Sequence, residues 1–176
     1  MPANANASVT GNERTFIGTI ISETDLAGNI TMANDVFEKV SGYTQQELIG
    51  APHNILRHPE MPRCVFKLLW ATVPDKKSIS AYVVNRAKNG DHYWVLATVT
   101  PKLDAAGNLV GYRSERAIPN RSVIKDVIQP LYASLLAEEK KYNNSDEGME
   151  SSFRMVLNLL QEKGVSYDQL IDSLPK

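Results

Sequence analysis

The stretch GYTQQELIGAPHNILRHPEMP, residues 42–62, sets a short capped helix against a bend that holds three prolines, two histidines and an arginine. Thr44 and Glu47 have the spacing of a capping box, in which hydroxyl and carboxylate satisfy the orphan amides of a helix start. Gly50 and Pro52 end that helix. Just before it, Asn34 caps another short helix through Val36, Phe37 and Val40, which stops at Gly42, a residue suited to a left-handed C-cap. After the bend, Met61, Val65, Phe66, Leu68, Leu69, Trp70 and Val73 form a wide apolar face on a helix of about three turns. Three helices in fewer than fifty residues, joined by tight bends, must lie across something flat.

The flanking segments supply it. FIGTIISETD (16–25) and ITMA (30–33) are strand-like and are separated by DLAGN, whose Gly and Asn suit a hairpin. SAYVVNRA (80–87), HYWVLATVTP (92–101) and LVGYRSERAI (109–118) follow, separated by Asn89-Gly90 and by DAAGN (104–108). The expected fold is α+β, a five-stranded antiparallel sheet with helices over one face and a concave space between them. If Ile79, Ala81, Val83 and Ala87 face inward, alternation puts Asn85 among them, and a buried amide needs a partner in ligand or backbone. Arg113 and Arg116 read as a solvated strand face.

Residues 1–14 are small and polar and read as a flexible arm, 15–120 as the main domain and 121–176 as a C-terminal helical extension. In the extension, Val123, Ile124, Val127, Ile128, Leu131, Leu135 and Leu136 form one helical stripe, which Pro130 should kink. Phe153, Val156, Leu157 and Leu160 form a second stripe, and Tyr167, Leu170, Ile171 and Leu174 a third. They either pack on their own sheet or each other, or serve a homodimer or another signalling protein.

Composition narrows the function. The chain has 176 residues, 43% of them hydrophobic and 22% charged, with a net charge of -1, which gives no basic face for nucleic acid. The single cysteine, Cys64, excludes an internal disulfide and fits a reducing compartment. No segment has the length and apolarity of a membrane span or a signal h-region, so a soluble, cytoplasmic protein is expected. No nucleophile–base set, carboxylate pair or metal cluster is visible, so an enzyme is not expected.

The order of elements, with SETDLAGNITMAND, FEKVSGYTQQELIGAPHNILRHPEMP, NRAKNGDHYWV and TPKLDAAGNLVGY, resembles a PAS domain over residues 16–120. More narrowly it is similar to the FAD-binding PAS domain of bacterial aerotaxis receptors and their stand-alone redox-taxis relatives. The resemblance implies a redox- or oxygen-linked sensory module that holds FAD non-covalently and signals in chemotaxis or energy taxis by contact with a chemoreceptor or other signalling protein in trans. It implies a cofactor edge at Arg57, His58 and Glu60, and Asn85 facing the ring, with Asn34 and Trp70 as further cofactor-binding candidates. Arg57 brings a planar donor fork suited to phosphate or carbonyl oxygens, and Glu60 could orient Arg57 or complement a helix dipole. Trp70 and Phe66 could equally be core. Two positions depart from the family pattern: Ile79 stands where a tryptophan is usual, and Glu60 where aspartate is commoner. The bend also lacks the reactive cysteine of light-sensing flavin PAS domains. The alternatives are a haem b gas sensor with His53, His58 or His92 as axial ligand, and a cofactor-free interaction or small-ligand module.

Overall fold

The computed structural model describes residues 8–75 and 77–176. Five strands, β1 (Ile20–Thr24), β2 (Ile30–Ala33), β3 (Ile79–Arg86), β4 (His92–Leu103) and β5 (Leu109–Ala117), form one antiparallel sheet in the order β2-β1-β5-β4-β3. Between β2 and β3 the chain crosses one face of the sheet as α1 (Asp35–Ser41), α2 (Gln45–Leu48), a 3-10 turn (His53–Leu56) and α3 (Arg63–Thr72). The last strand thus enters beside the first, and β3 is left on an edge.

Local chemistry sets these elements as the sequence suggests. Asn34 accepts from the Phe37 amide at the start of α1, and Gly42 closes it at φ 77° in the left-handed region. The reciprocal Thr44–Glu47 box is present at the start of α2. The two D-x-A-G-N turns are built alike: Asp25 accepts from the Ala27 and Asn29 amides, Asp104 from those of Ala106 and Asn108.

The expected arm divides in two. Residues 1–7 lie outside the described residues. Residues 8–14 run along the β3–β4 turn: the Thr10 amide donates to the Gly90 carbonyl and that of Arg14 to the His92 carbonyl, while the Arg14 guanidinium pairs with Asp91 at 2.8 Å. Backbone pairing holds this part in place of the free arm its polarity suggests.

The C-terminal stripes find their partners on the same chain. The segment begins as α4 (Arg121–Val123), passes through one π-helical stretch (Ile124–Ile128) and continues as α5 (Gln129–Glu139). The Gln129 amide reaches back to the Ile124 carbonyl, so the π turn absorbs the amide that Pro130 lacks. Tyr132 lies buried on the outer face of the sheet, its hydroxyl donating to the Tyr82 carbonyl and its ring 6.0 Å from that of Trp94. Two further helices, α6 (Ser145–Lys163) and α7 (Tyr167–Ser173), complete the cover, with α6 packed on α5 and α3 and α7 on β3. No described helix is long and apolar enough to cross a membrane.

The start of α3 follows Pro62, which caps nothing. Glu139, at the end of α5, supplies the missing acceptor: its carboxylate takes the Arg63 amide at 3.2 Å and the Cys64 amide at 3.1 Å, and also the Ser152 hydroxyl of α6 at 2.8 Å. One carboxylate therefore joins three helices, at a helix N-terminus where negative charge is stabilised. Close approach of α6 to this corner needs a glycine, since a Cβ on Gly148 would stand 2.6 Å from the Glu139 carbonyl oxygen. Gly148→Ala gains about 1 kcal/mol of helix propensity but should lose about 1–3 kcal/mol net through overpacking. Urea unfolding should show a lower midpoint, and an unchanged or higher one would remove the close contact from the account.

Candidate functional site

Between α3, the 3-10 turn and the inner face of the sheet lies a cavity of about 240 Å3. Its helix side is apolar, with Leu56, Phe66, Leu69 and Val73. The sheet side is mixed: Val83, Ala97 and Val99 beside Thr24, Ser22, Ser114, Asn85 and Arg116. Apolar walls with a few convergent polar groups are the usual make-up of a small-molecule site.

Arg57 and Asn85 meet in this cavity. Arg57 ends the 3-10 turn and forms an isolated antiparallel bridge with Asn85 of β3. Its guanidinium donates to the Met61 carbonyl at 3.0 Å and lies 5.2 Å over the Phe66 ring. Burial holds its pKa below the ordinary value, followed by the charge of Arg63, with Glu139 opposing. Asn85 is 5% exposed, on the inward register with Val83, as alternation requires.

Of the other expected residues, Trp70 lines the cavity, while Asn34, His58 and Glu60 do not. Asn34 does not line the cavity: its amide oxygen accepts from the Ile21 and Phe37 amides and its NH2 donates to the Thr19 carbonyl. The helix cap and two bonds to the backbone of Thr19 and Ile21 thus occupy its amide. His58 is buried beside the lining, its Nδ1 accepting from the Glu60 amide and its ring edge-on to His92 at 5.8 Å. Glu60 is exposed and outside the lining, and the carboxylate at the start of α3 is Glu139 instead. Trp70 is not a core residue: it is 49% exposed, on the rim of the cavity, edge-on to Tyr112 at 5.0 Å. Ile79 is buried in the core and outside the lining, and Cys64, also outside it, is buried with its thiol pushed up to about 11 by burial.

Arg116 is the residue the sequence reading misplaced. It is 2% exposed, inside the domain. Its Nη2 donates to the Ser22 hydroxyl at 2.5 Å, its Nη1 lies 3.2 Å from His53 Nε2, and its plane stands 4.6 Å over the Phe37 ring. Nε has no partner, and no described carboxylate pairs with the group. Burial lowers its pKa to about 10, Tyr93 opposing, so it remains a cation at neutral pH. Since arginine has only donors, His53 Nε2 must be the acceptor, which puts the histidine proton on Nδ1. Burial first, then the arginine charge, push His53 down to about 3. A signal was available in the sequence. Arg113 and Arg116 are three residues apart on a strand, so a period of two cannot put both on the solvated face.

Comparison with known proteins follows this geometry. A family model described as PAS fold matches residues 30–114. The chain is 47% identical over 119 residues to the aerotaxis receptor of Escherichia coli K12, covering 68% of this chain and 23% of that protein. It is 32% identical over 92 residues to a nitrogen fixation regulatory protein of Klebsiella pneumoniae, covering 52% of this chain and 19% of that one. The chain thus spans under a quarter of either relative. Among solved structures, the dark-state LOV domain of the blue-light photoreceptor Aureochrome1 superposes with a TM-score of 0.56 at 23% identity, covering 65% of this chain and 86% of that one. The light-state structure gives a TM-score of 0.54 at 21% identity, covering 70% and 91%. These last two show the shared fold.

The depressed His53 has a sign in stability. Below its ordinary value of 6.5 the unfolded chain takes up a proton that the folded chain refuses down to about 3, so stability is lost as pH falls through 6.5. His58 is also held below its ordinary value, by burial first, and adds in the same direction. Urea midpoints should therefore drop between about pH 7 and pH 5, above the carboxylate range. His53→Gln, which keeps an acceptor for Arg116, should flatten that drop; an equally steep one would show that His53 does not cause it.

Proposed function

The chain belongs to the PAS fold family, and from that premise we propose that it is a cytoplasmic redox-sensing module. It holds FAD non-covalently, does no catalysis, and signals to a chemoreceptor or another signalling protein in trans. The observation that carries this reading is the cavity, with Arg57 and Asn85 bridged backbone to backbone in its wall, in a segment 47% identical to an aerotaxis receptor.

The residues present fit a flavin. Leu56, Phe66, Leu69 and Val99 offer apolar surface for a planar ring, and Arg57, Asn85 and Arg116 offer donors for its oxygens. When bound, FAD supplies an edge that accepts a hydrogen bond in one oxidation state and donates one in the other. The Asn85 carboxamide carries both an acceptor and donors, so it can serve either state by rotating. Arg57 stays cationic throughout and anchors an oxygen. Haem is less well served. His53 is the histidine in the lining, and its Nε2 already accepts from Arg116.

A route outward exists in the packing. Asn85 and Tyr82 share β3, one facing the cavity and the other holding Tyr132 of α5. Phe66 and Cys64 share α3, one lining the cavity and the other donating its amide to Glu139. A rearrangement at Asn85 or Arg57 can thus bias the docking of the C-terminal helices, whose outer faces would meet a partner.

An absorption spectrum of the freshly purified protein should show flavin bands, released as FAD on denaturation. Arg57→Ala and Asn85→Ala should each weaken FAD retention about tenfold or more, the value of a hydrogen bond to a buried or charged partner. A Soret band, or a protein that stays colourless after incubation with FAD, would overturn the cofactor assignment; equal retention in both variants would overturn the roles of these residues.

A further inference from the structure

The inner face of a PAS sheet that served only as core would be apolar; here a polar row crosses it. Thr24, Ser22, Ser114 and Arg116 lie on paired positions of β1 and β5, with Ser22 opposite Ser114 and Thr24 opposite Tyr112. All four line the cavity. Two of them present buried polar atoms without a partner, Arg116 Nε and Thr24 Oγ1. Among the described residues no carboxylate pairs with Arg116. Its neighbours are a hydroxyl, a neutral imidazole and a ring face, none of which carries negative charge.

A structural link between β1 and the 3-10 turn would not require a full charge. Leaving a cation buried and unpaired is strongly destabilising, and a neutral side chain of similar length fills such a space without that penalty. A buried cation without a carboxylate is what an anion-accepting site looks like before its ligand arrives.

We propose that Arg116, supported by His53 and Ser22, is a cationic donor subsite for a flat, largely apolar ligand carrying a carboxylate or strongly polarised carbonyl. The proposal rests on the cavity being a ligand site and deepens the flavin reading by assigning the sheet side to the oxygen-bearing edge of the ring. Asn85 lies on the same sheet face, on β3, and Arg57 on the 3-10 turn that bridges to it. His53 keeps Nη1 in place and Ser22 keeps Nη2 in place, so the guanidinium is held at the cavity wall with its charge unanswered.

The test uses the full chain with Arg116→Met. Freed of an unpaired buried charge, the ligand-free variant should melt at or above the wild-type temperature, while FAD binding falls about tenfold to a hundredfold, the range for hydrogen bonds to a charged group. Two further probes do not depend on flavin. Benzoate should raise the melting temperature of the wild type and not of the variant, whereas benzyl alcohol, of the same ring size and uncharged, should act on both alike. Wild type that takes up no FAD but responds to benzoate through Arg116 ends the flavin reading and keeps the subsite. A variant that melts lower, and binds FAD and benzoate within twofold of wild type, ends the subsite and leaves the flavin reading intact. Should Arg116→Met fail to fold, Arg116→Lys decides: the point charge should keep the benzoate response while FAD affinity drops several-fold, and unchanged FAD affinity overturns the proposal.

Discussion

Strand β3 is covered on both faces, and the rest of the architecture depends on that double cover. Its inner side chains, Ala81, Val83 and Asn85, face the helices and the cavity, while Tyr82 and Val84 are buried from the other side. A strand at the end of a sheet is normally a liability, with its outer face wet and its edge open. Here α5 and α7 lie over the outer face, and the Tyr132 hydroxyl reaches the Tyr82 carbonyl. The helical extension is thus part of the domain's packing, and the same strand that walls the cavity also seats the tail.

The interior electrostatics follow one rule: cations are admitted where aromatic faces and neutral acceptors surround them. Arg116 lies over Phe37 and Arg57 over Phe66. His53 is kept neutral so that it can accept from Arg116, and burial drives it the same way. The carboxylates stay outside this interior. Glu23 bridges Lys102 and Arg113 on the outer side of the sheet, Asp91 holds Arg14, and Glu139 sits at the helix junction. A cavity whose wall is positive without local neutralisation favours ligands rich in acceptor oxygens and rejects cations.

Much of the fold was legible in short-range chemistry. The capping box at Thr44, the cap at Asn34, the left-handed Gly42 and the two aspartate turns act within a few residues of themselves, so the sequence carries them whole. The site was legible only in part. Arg57 and Asn85 stood out through the bend and through alternation, but three placements depended on partners far away in the chain. Asn34 spends its amide on Thr19 and Ile21, which a helix-cap reading does not anticipate. Glu60 yields its expected place to Glu139, 79 positions later in the numbering of the chain. Trp70 looks like core at helical spacing, yet α3 ends over the open side of the cavity and leaves the ring at the rim. Arg116 was missed because a strand with polar residues on both faces reads as solvated; only the odd spacing from Arg113 betrays it.

The magnitudes decide what kind of sensor such a domain can be. The re-pairing of one amide proposed for Asn85 would change the balance between two arrangements by about 0.5–1.5 kcal/mol, the net worth of a typical hydrogen bond. That shifts a two-state population by a factor of only about 2 to 12. A large response therefore requires an element poised near balance, and the tail has the features of one. Its polar links to the domain are few, the Glu139 carboxylate and the Lys67–Glu150 pair at α3 and the Tyr132 hydroxyl at β3, and it passes through a π turn that a small twist can convert to α-helix. Each is worth about as much as the change available in the cavity. The apolar side chains of the tail, Ile124, Ile128, Leu135 and Ile171 among them, are buried in the domain's core and hold it docked in either arrangement. The sparse polar anchors of α5 are what would let a single reoriented side chain be felt at the surface.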